Sequence, residues 1–169
     1  MNIYLLGFMG SGKSFTGRQL AELMGYAFYD LDEQIEEAAG CSISELFARQ
    51  GEAAFRALER QQLHRTADYQ NAVIATGGGT PCFYDNIDWI NRQGWSIYLK
   101  ASPALLAQRL MAETAQRPLL ADLNKNKLHS FIEDKLKARQ HFYQQARTIY
   151  TQKNQNAPIA PILLQLILA

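Results

Sequence analysis

The sequence predicts an α/β fold in which helices wrap both faces of a parallel sheet. Three observations carry this reading. Short apolar runs of strand length alternate with stretches of helical periodicity, the pattern of parallel strands joined by crossover helices. The first run, Ile3-Tyr4-Leu5-Leu6, leads directly into Gly7-Phe8-Met9-Gly10-Ser11-Gly12-Lys13-Ser14, which fits G-x-x-x-x-G-K-[ST] at each fixed position. The next two strand-like runs end in a pair of carboxylates and in three consecutive glycines. Strand ends of this kind are where open α/β sheets gather ligands.

The first stretch is a physical device for holding a polyphosphate. Its glycines let the backbone turn with consecutive N–H groups facing one concavity, so Gly10, Ser11 and Gly12 are expected to wrap ATP or GTP. The helix that follows, carrying Leu20 and Leu23, adds free N–H groups and the positive end of its dipole. Lys13 would reach the β- and γ-phosphates, and the Ser14 hydroxyl would ligate Mg²⁺.

Gly25 stops that helix, and Ala27-Phe28-Tyr29 reads as a second strand ending in Asp30-Leu31-Asp32. If the chain stays extended, residues two apart face one side, so both carboxylates leave together for metal or substrate duty. The alternative makes Asp32 the N-cap of a helix over 33–39. Ser42-Ile43-Ser44-Glu45 is a capping box opening a helix through Gln50, Gly51 breaks it, and 52–67 is helical again. There Arg56, Glu59 and Leu63 share a side, and read alone the Arg56–Glu59 pair is a surface ion pair worth little.

A third strand, 72–76, ends in Gly77-Gly78-Gly79, one glycine more than a tight turn needs. The run is expected to clear space for close substrate approach. A helix over 85–92, a fourth strand over 95–99, and a helix opened by Ser102-Pro103 and running to about Met111 follow. From about 112 to 126 the periodicity fades around Arg117-Pro118, which suits either a lid or an ordinary surface loop. Residues 128–146 form another helix, with Ile132, Leu136 and Tyr143 on one face and Arg139 in the middle of it. Such an arginine either points to an anion or snorkels along the core edge. A weak strand at 149–150 and a closing helix over 161–169 complete the chain.

Composition sets the outer bounds. Seventeen Lys and Arg against 16 Asp and Glu leave a net charge of +1 with no long run of either sign, which argues against a nucleic-acid or membrane partner. The 169 residues suit a single domain, expected over 1–169. Cys41 and Cys82 belong to no C-x-x-C pair and are expected as small buried apolar residues. A reducing, cytoplasmic setting is expected, since no signal peptide is visible and no run is long enough to span a bilayer.

With these residues in hand, the chain resembles the shikimate kinases. The motifs that carry the resemblance are GFMGSGKS (7–14), DLD (30–32), FRALE (55–59), GGG (77–79), RPLL (117–120) and the stretch from Arg139 to Tyr143. The resemblance implies a P-loop kinase fold with sheet order 2-3-1-4-5 and a mobile lid at about 112–126, with a substrate region at about 32–60. It implies ATP-dependent phosphorylation of the shikimate 3-hydroxyl in aromatic amino-acid biosynthesis, with Mg²⁺ as cofactor and a monomeric enzyme. By position, Asp30 would hold Mg²⁺ through water, while Asp32 would bind the ring hydroxyls and act as base. Arg56 and Arg139 would clamp the carboxylate beside the backbone of Gly77, Gly78 and Gly79. Arg117 would reach the ATP phosphates as a catalytic residue with Asp32 and Lys13, and Arg109 would lie by the adenine. Two departures stand out. Phe15 occupies a position where the family usually has Thr, and the polar run 151–158 has no clear match to the family's adenine-side loop. The competing readings are a kinase for a sugar acid or nucleoside monophosphate, and a nucleotide-binding module without kinase activity. RPLL and FRALE argue against the first, and the intact Lys13, Ser14, Asp30, Asp32 and Arg117 against the second.

Overall fold

The structure is a computed structural model that describes residues 1–113, 124–153 and 157–169. Five strands, β1 (Asn2–Leu6), β2 (Ala27–Asp30), β3 (Ala72–Ala75), β4 (Gly94–Lys100) and β5 (Thr148–Thr151), form one sheet in the order β2-β3-β1-β4-β5. Each neighbouring pair is parallel, as in Ile3 opposite Val73 and Leu5 opposite Ile97. The helices are α1 (Lys13–Met24), α2 (Leu31–Ala39), α3 (Ile43–Arg65), α4 (Asn86–Gln93), α5 (Pro103–Glu113), α6 (Lys125–Tyr143) and α7 (Ile159–Leu168).

The period-two alternation of β1 divides the core between two faces. Ile3 and Leu5 pack with Leu20 and Ala21 of α1 and Ala160 and Leu163 of α7. Tyr4 and Leu6 point the other way, into a cluster built with Leu31, Ile35, Leu46, Phe55, Leu63, Ile90 and Tyr143 from α2, α3, α4 and α6. A third cluster, Phe8, Leu106, Leu110, Leu128 and Ile132, ties α5 and α6 to the loop after β1. All of β1 is buried, so that loop leaves from the centre of the sheet.

Local signals account for most boundaries. Gly25 ends α1 in a left-handed conformation, and the Ser42–Glu45 capping box opens α3. Gly51, at φ 80°, breaks α3 where the sequence places the stop. The Ser102 hydroxyl accepts from the Leu105 amide at the start of α5. Elsewhere the structure corrects the sequence reading. The helix after β2 begins at Leu31, and its N-cap is Asp30, whose side chain accepts from the Asp32 amide. The chain therefore turns helical between the two carboxylates and their shared direction cannot come from strand alternation. The sixth helix ends at Tyr143 instead of 146, and the last begins at Ile159 instead of 161. α5 runs through Glu113 and Asn124 caps α6, and the rest of the expected lid, 114–123, lies outside the described residues. Cys41 and Cys82 are half-buried at the core margin, not within it.

Candidate active site

The phosphate loop sits between the buried end of β1 and the start of α1. Gly10 and Gly12 adopt φ 80° and 88°, left-handed values that favour glycine, and Gly12 serves as the N-cap of α1. No side chain caps this helix and no acidic residue lies in its first turn, so its leading N–H groups are left for an anion. The Lys13 ammonium folds back on the loop, donating to the carbonyls of Gly7 at 2.8 Å and Phe8 at 3.1 Å. The Ser14 hydroxyl donates to Oδ2 of Asp30, whose Oδ1 accepts from the Asp32 amide. Asp30 thus ties the phosphate loop to the first turn of α2.

Beside it stands Asp32. Burial pushes its carboxyl up to about 6; the neighbouring Asp30 charge adds to this, Lys13 opposes it, and Glu59 and Glu36 contribute further to the rise. Near pH 7 such a group is largely ionised yet close enough to neutrality to take a proton.

The three glycines after β3 explain how side chains from three helices converge here. A Cβ on Gly77 would lie 2.9 Å from Asp32 Oδ1 and 3.1 Å from Glu59 Oε2. One on Gly78 would lie 3.3 Å from Arg139 Nη1, and one on Gly79 2.7 Å from Arg56 Nη2. The glycines make room for the polar groups of the site itself, in addition to any ligand. The Tyr143 hydroxyl, donating to the Gly78 carbonyl, anchors this turn from α6.

Both arginines are held in place. Arg56 is 9% exposed and Glu59 1%, so their pair is buried and the surface ion pair expected from the sequence is overturned. Arg56 Nη1 donates to Glu59 Oε1 at 2.8 Å, and Glu59 Oε2 accepts from the Thr80 hydroxyl at 2.7 Å. The Arg56 guanidinium lies 3.9 Å over the Phe83 ring, with Gly79 against it as well. Arg139 is half-buried, its guanidinium 5.5 Å over the ring of Phe8, a residue of the phosphate loop. Its place on α6 next to the glycine turn matches the anion-facing reading better than the snorkelling one.

A cavity of about 770 Å³ opens over the phosphate loop and the carboxylate pair and reaches the glycine turn at Gly78. Gly10, Gly12, Lys13, Ser14, Asp30, Asp32, Gly78 and Arg109 line it, as do Phe15, 70% exposed, and Ala157, Pro158 and Ile159. The last three lie in a stretch where sequence reasoning found no motif, yet they wall the nucleotide-sized side of the cavity. Phe83 and Tyr143 were also missed as site residues. Of the sequence-predicted set, the structure brings together Gly10, Ser11, Gly12, Lys13, Ser14, Asp30, Asp32, Arg56, Gly77, Gly78, Gly79, Arg109 and Arg139; Arg117 lies outside the described residues. Ser14 Oγ and Asp30 Oδ2 are oxygen donors suited to Mg²⁺, which keeps much of its shell as water and phosphate oxygen. No cluster of three or more His, Cys, Asp or Glu side chains forms a separate metal cage among the described residues.

Known proteins share this sequence and fold over nearly the whole chain. Residues 9–167 match the family model described as shikimate kinase. The chain is 43% identical over 150 residues to a shikimate kinase of Bacteroides thetaiotaomicron, covering 89% of this chain and 86% of that protein. The crystal structure of shikimate kinase from Bacteroides thetaiotaomicron superposes with a TM-score of 0.94 at 38% identity, covering 100% of this chain and 99% of the other. Shikimate kinase from Acinetobacter baumannii in complex with shikimate superposes with a TM-score of 0.88 at 36% identity, covering 99% and 92%. Matched by the family model over residues 9–167 and by relatives of similar length at 38–43% identity, the chain belongs to the shikimate kinase family.

Proposed function

We propose that this chain transfers the γ-phosphoryl group of ATP to the 3-hydroxyl of shikimate, giving shikimate 3-phosphate and ADP in aromatic amino-acid biosynthesis. The observation that carries the reading is a single continuous arrangement. A phosphate loop, a half-buried carboxyl pushed up to about 6 and two braced arginines meet around Gly77–Gly79. Phosphoryl transfer asks for positioning and charge neutralisation more than for covalent chemistry, and these residues supply both.

ATP would lie with its phosphates on the amides of Gly10, Ser11 and Gly12 and its nucleoside toward Arg109 and Pro158. Lys13 would leave the Gly7 and Phe8 carbonyls for the β- and γ-phosphates. Arg56 and Arg139 would receive the shikimate carboxylate, a planar anion that guanidinium forks match. Asp32 would orient the ring hydroxyls and take the proton of the attacking one as the oxygen–phosphorus bond forms and ADP leaves. Ser14, with Asp30 acting through water, would hold Mg²⁺, which supplies charge neutralisation on the phosphates. The family resemblance assigns Arg117 to the ATP phosphates. The working unit would be one monomeric domain over 1–169, with its substrate region at about 32–60 and a lid within about 112–126, acting in the cytoplasm without nucleic acid or membrane. Among the described residues no helix is long and apolar enough to cross a bilayer.

A coupled ADP-release assay with shikimate, gluconate and nucleoside monophosphates tests this. Turnover that requires shikimate, ATP and Mg²⁺ is expected. Turnover of gluconate or a nucleotide, with shikimate left untouched, would overturn the reading.

A further inference from the structure

Gln152 belongs to no motif, yet it is 7% exposed and joins two parts of the cavity wall that are distant in sequence. It follows β5 directly, and its own amide donates to the Lys100 carbonyl, which fixes its backbone beside the sheet edge. Its side-chain Nε2 donates to the Ser11 carbonyl in the phosphate loop at 2.9 Å. Its Oε1 accepts from Arg109 Nη1, also at 2.9 Å, and the same guanidinium nitrogen reaches the Gly10 carbonyl at 3.2 Å. The amide orientation is dictated by these partners. A guanidinium only donates and a carbonyl only accepts, so the flipped amide would face donor with donor and acceptor with acceptor. The Ser11 hydroxyl is buried without a hydrogen bond among the described residues, so the loop is gripped here through its backbone, from outside.

We propose that Gln152 is a positioning residue for the nucleotide, bracing Arg109 of α5 against the phosphate loop so that both are in place before ATP or ADP arrives. This rests on the reading of the cavity as the ATP site. Glutamine suits the task where glutamate would not. A carboxylate could still accept from Arg109, but it could not donate to Ser11, and it would set a negative charge beside the phosphates. The brace acts on the nucleotide half of the cavity, away from Arg56 and Arg139. Its loss should therefore separate the two substrates.

The test uses the purified full chain, with ADP titrated calorimetrically and initial rates measured against ATP and shikimate. Gln152→Ala is expected to weaken ADP binding and raise the ATP KM by roughly tenfold, the scale of one hydrogen bond to a charged group. Gln152→Glu is expected to do at least as much, and being nearly isosteric it keeps the proposal testable if the Ala variant does not fold. The shikimate KM should stay within about twofold of wild type, because the brace does not touch that side. In Arg109→Ala/Gln152→Ala the second substitution should add little to the first. ADP affinity unchanged in the variants, equal losses for both substrates, or full additivity in the double variant would each overturn the proposal. A wild-type protein that binds no ADP would instead overturn the assignment of the cavity.

Discussion

At the phosphate-loop end of the site, the proposed nucleotide end, the chain presents backbone; at the glycine-turn end, the proposed acceptor end, it presents side chains. Residues 7–14 form the phosphate loop as one contiguous piece, and even Lys13 rests on carbonyls of its own loop. The acceptor end draws Asp32 from α2, Arg56 and Glu59 from α3 and Arg139 from α6 onto one glycine turn. Contiguous backbone is shaped chiefly by a few glycines and one helix terminus, with Gln152 and Arg109 as its brace from outside. Converging charges need burial, partners and clearance, each from a different element. The difference teaches that damage at the two ends should look different: rate alone at one, rate together with stability at the other.

The largest effect is expected at Asp32. Asp32→Asn should cut kcat by about 10²–10⁴, the usual contribution of a positioned base. Wild-type kcat/KM should fall as pH drops through about 6, where Asp32 takes up a proton. The same carboxyl makes a stability prediction. Its folded value near 6 lies above the ordinary 3.8, so its contribution favours the folded state at low pH and is lost as pH rises through 6. Asn should therefore raise the Tm above pH 6, with no gain below about pH 4. A Tm difference independent of pH would contradict the buried, charge-crowded setting.

Lys13→Met should reduce kcat by about 10²–10³, or roughly 2.7–4 kcal/mol of transition-state stabilisation, while the Tm stays close to wild type. Near-normal turnover at saturating ATP would break the contrast at its nucleotide end.

At the acceptor end, Arg56→Ala and Arg139→Ala should each raise the shikimate KM roughly tenfold or more and leave the ATP KM nearly unchanged. Lys should rescue poorly, because an ammonium cannot form the paired fork. Arg56→Ala should also cost about 3 kcal/mol of stability by stranding Glu59 without its charged partner. Adding Glu59→Gln should recover much of that stability without recovering the KM. An amide analogue of shikimate sharpens the assignment: wild type should bind it far worse than shikimate, and the Ala variants should barely distinguish the two.

The smallest effect is expected at Phe83, whose ring faces the Arg56 guanidinium at 3.9 Å. Phe83→Leu keeps an apolar side chain but removes the aromatic face, and should raise the shikimate KM by roughly two- to fivefold. An unchanged KM would mean that Glu59, Glu52 and Phe55 orient the arginine without it.

The uneven legibility of the sequence follows the same division. The phosphate loop could be read residue by residue, because its chemistry is local and its spacing is its geometry. Arg139 was visible as a charge in the middle of an apolar helix face, an anomaly that burial explains only with a partner. Arg56 and Glu59 carried no such mark, since an i, i+3 pair looks the same on a surface as in a core. The carboxylate pair was located correctly for a wrong reason: extended geometry was expected, whereas Asp30 caps a helix that begins one residue later. Gln152, Phe83 and Pro158 gave no local signal, because their roles depend on neighbours from distant parts of the chain.

The sequence by itself determined the sheet-and-helix alternation, the polyphosphate loop and the element boundaries set by glycines and capping residues. Each of these is decided by contacts within a few residues along the chain. Only the tertiary structure decided that the Arg56–Glu59 pair is buried and that three glycines make room for Asp32, Glu59, Arg139 and Arg56. It alone decided that the Asp32 carboxyl is pushed up to about 6 and that a glutamine after the last strand spans Arg109 and Ser11. Burial, charge crowding and clearance are properties of what surrounds a residue, and those surroundings exist only once the sheet has brought distant segments together.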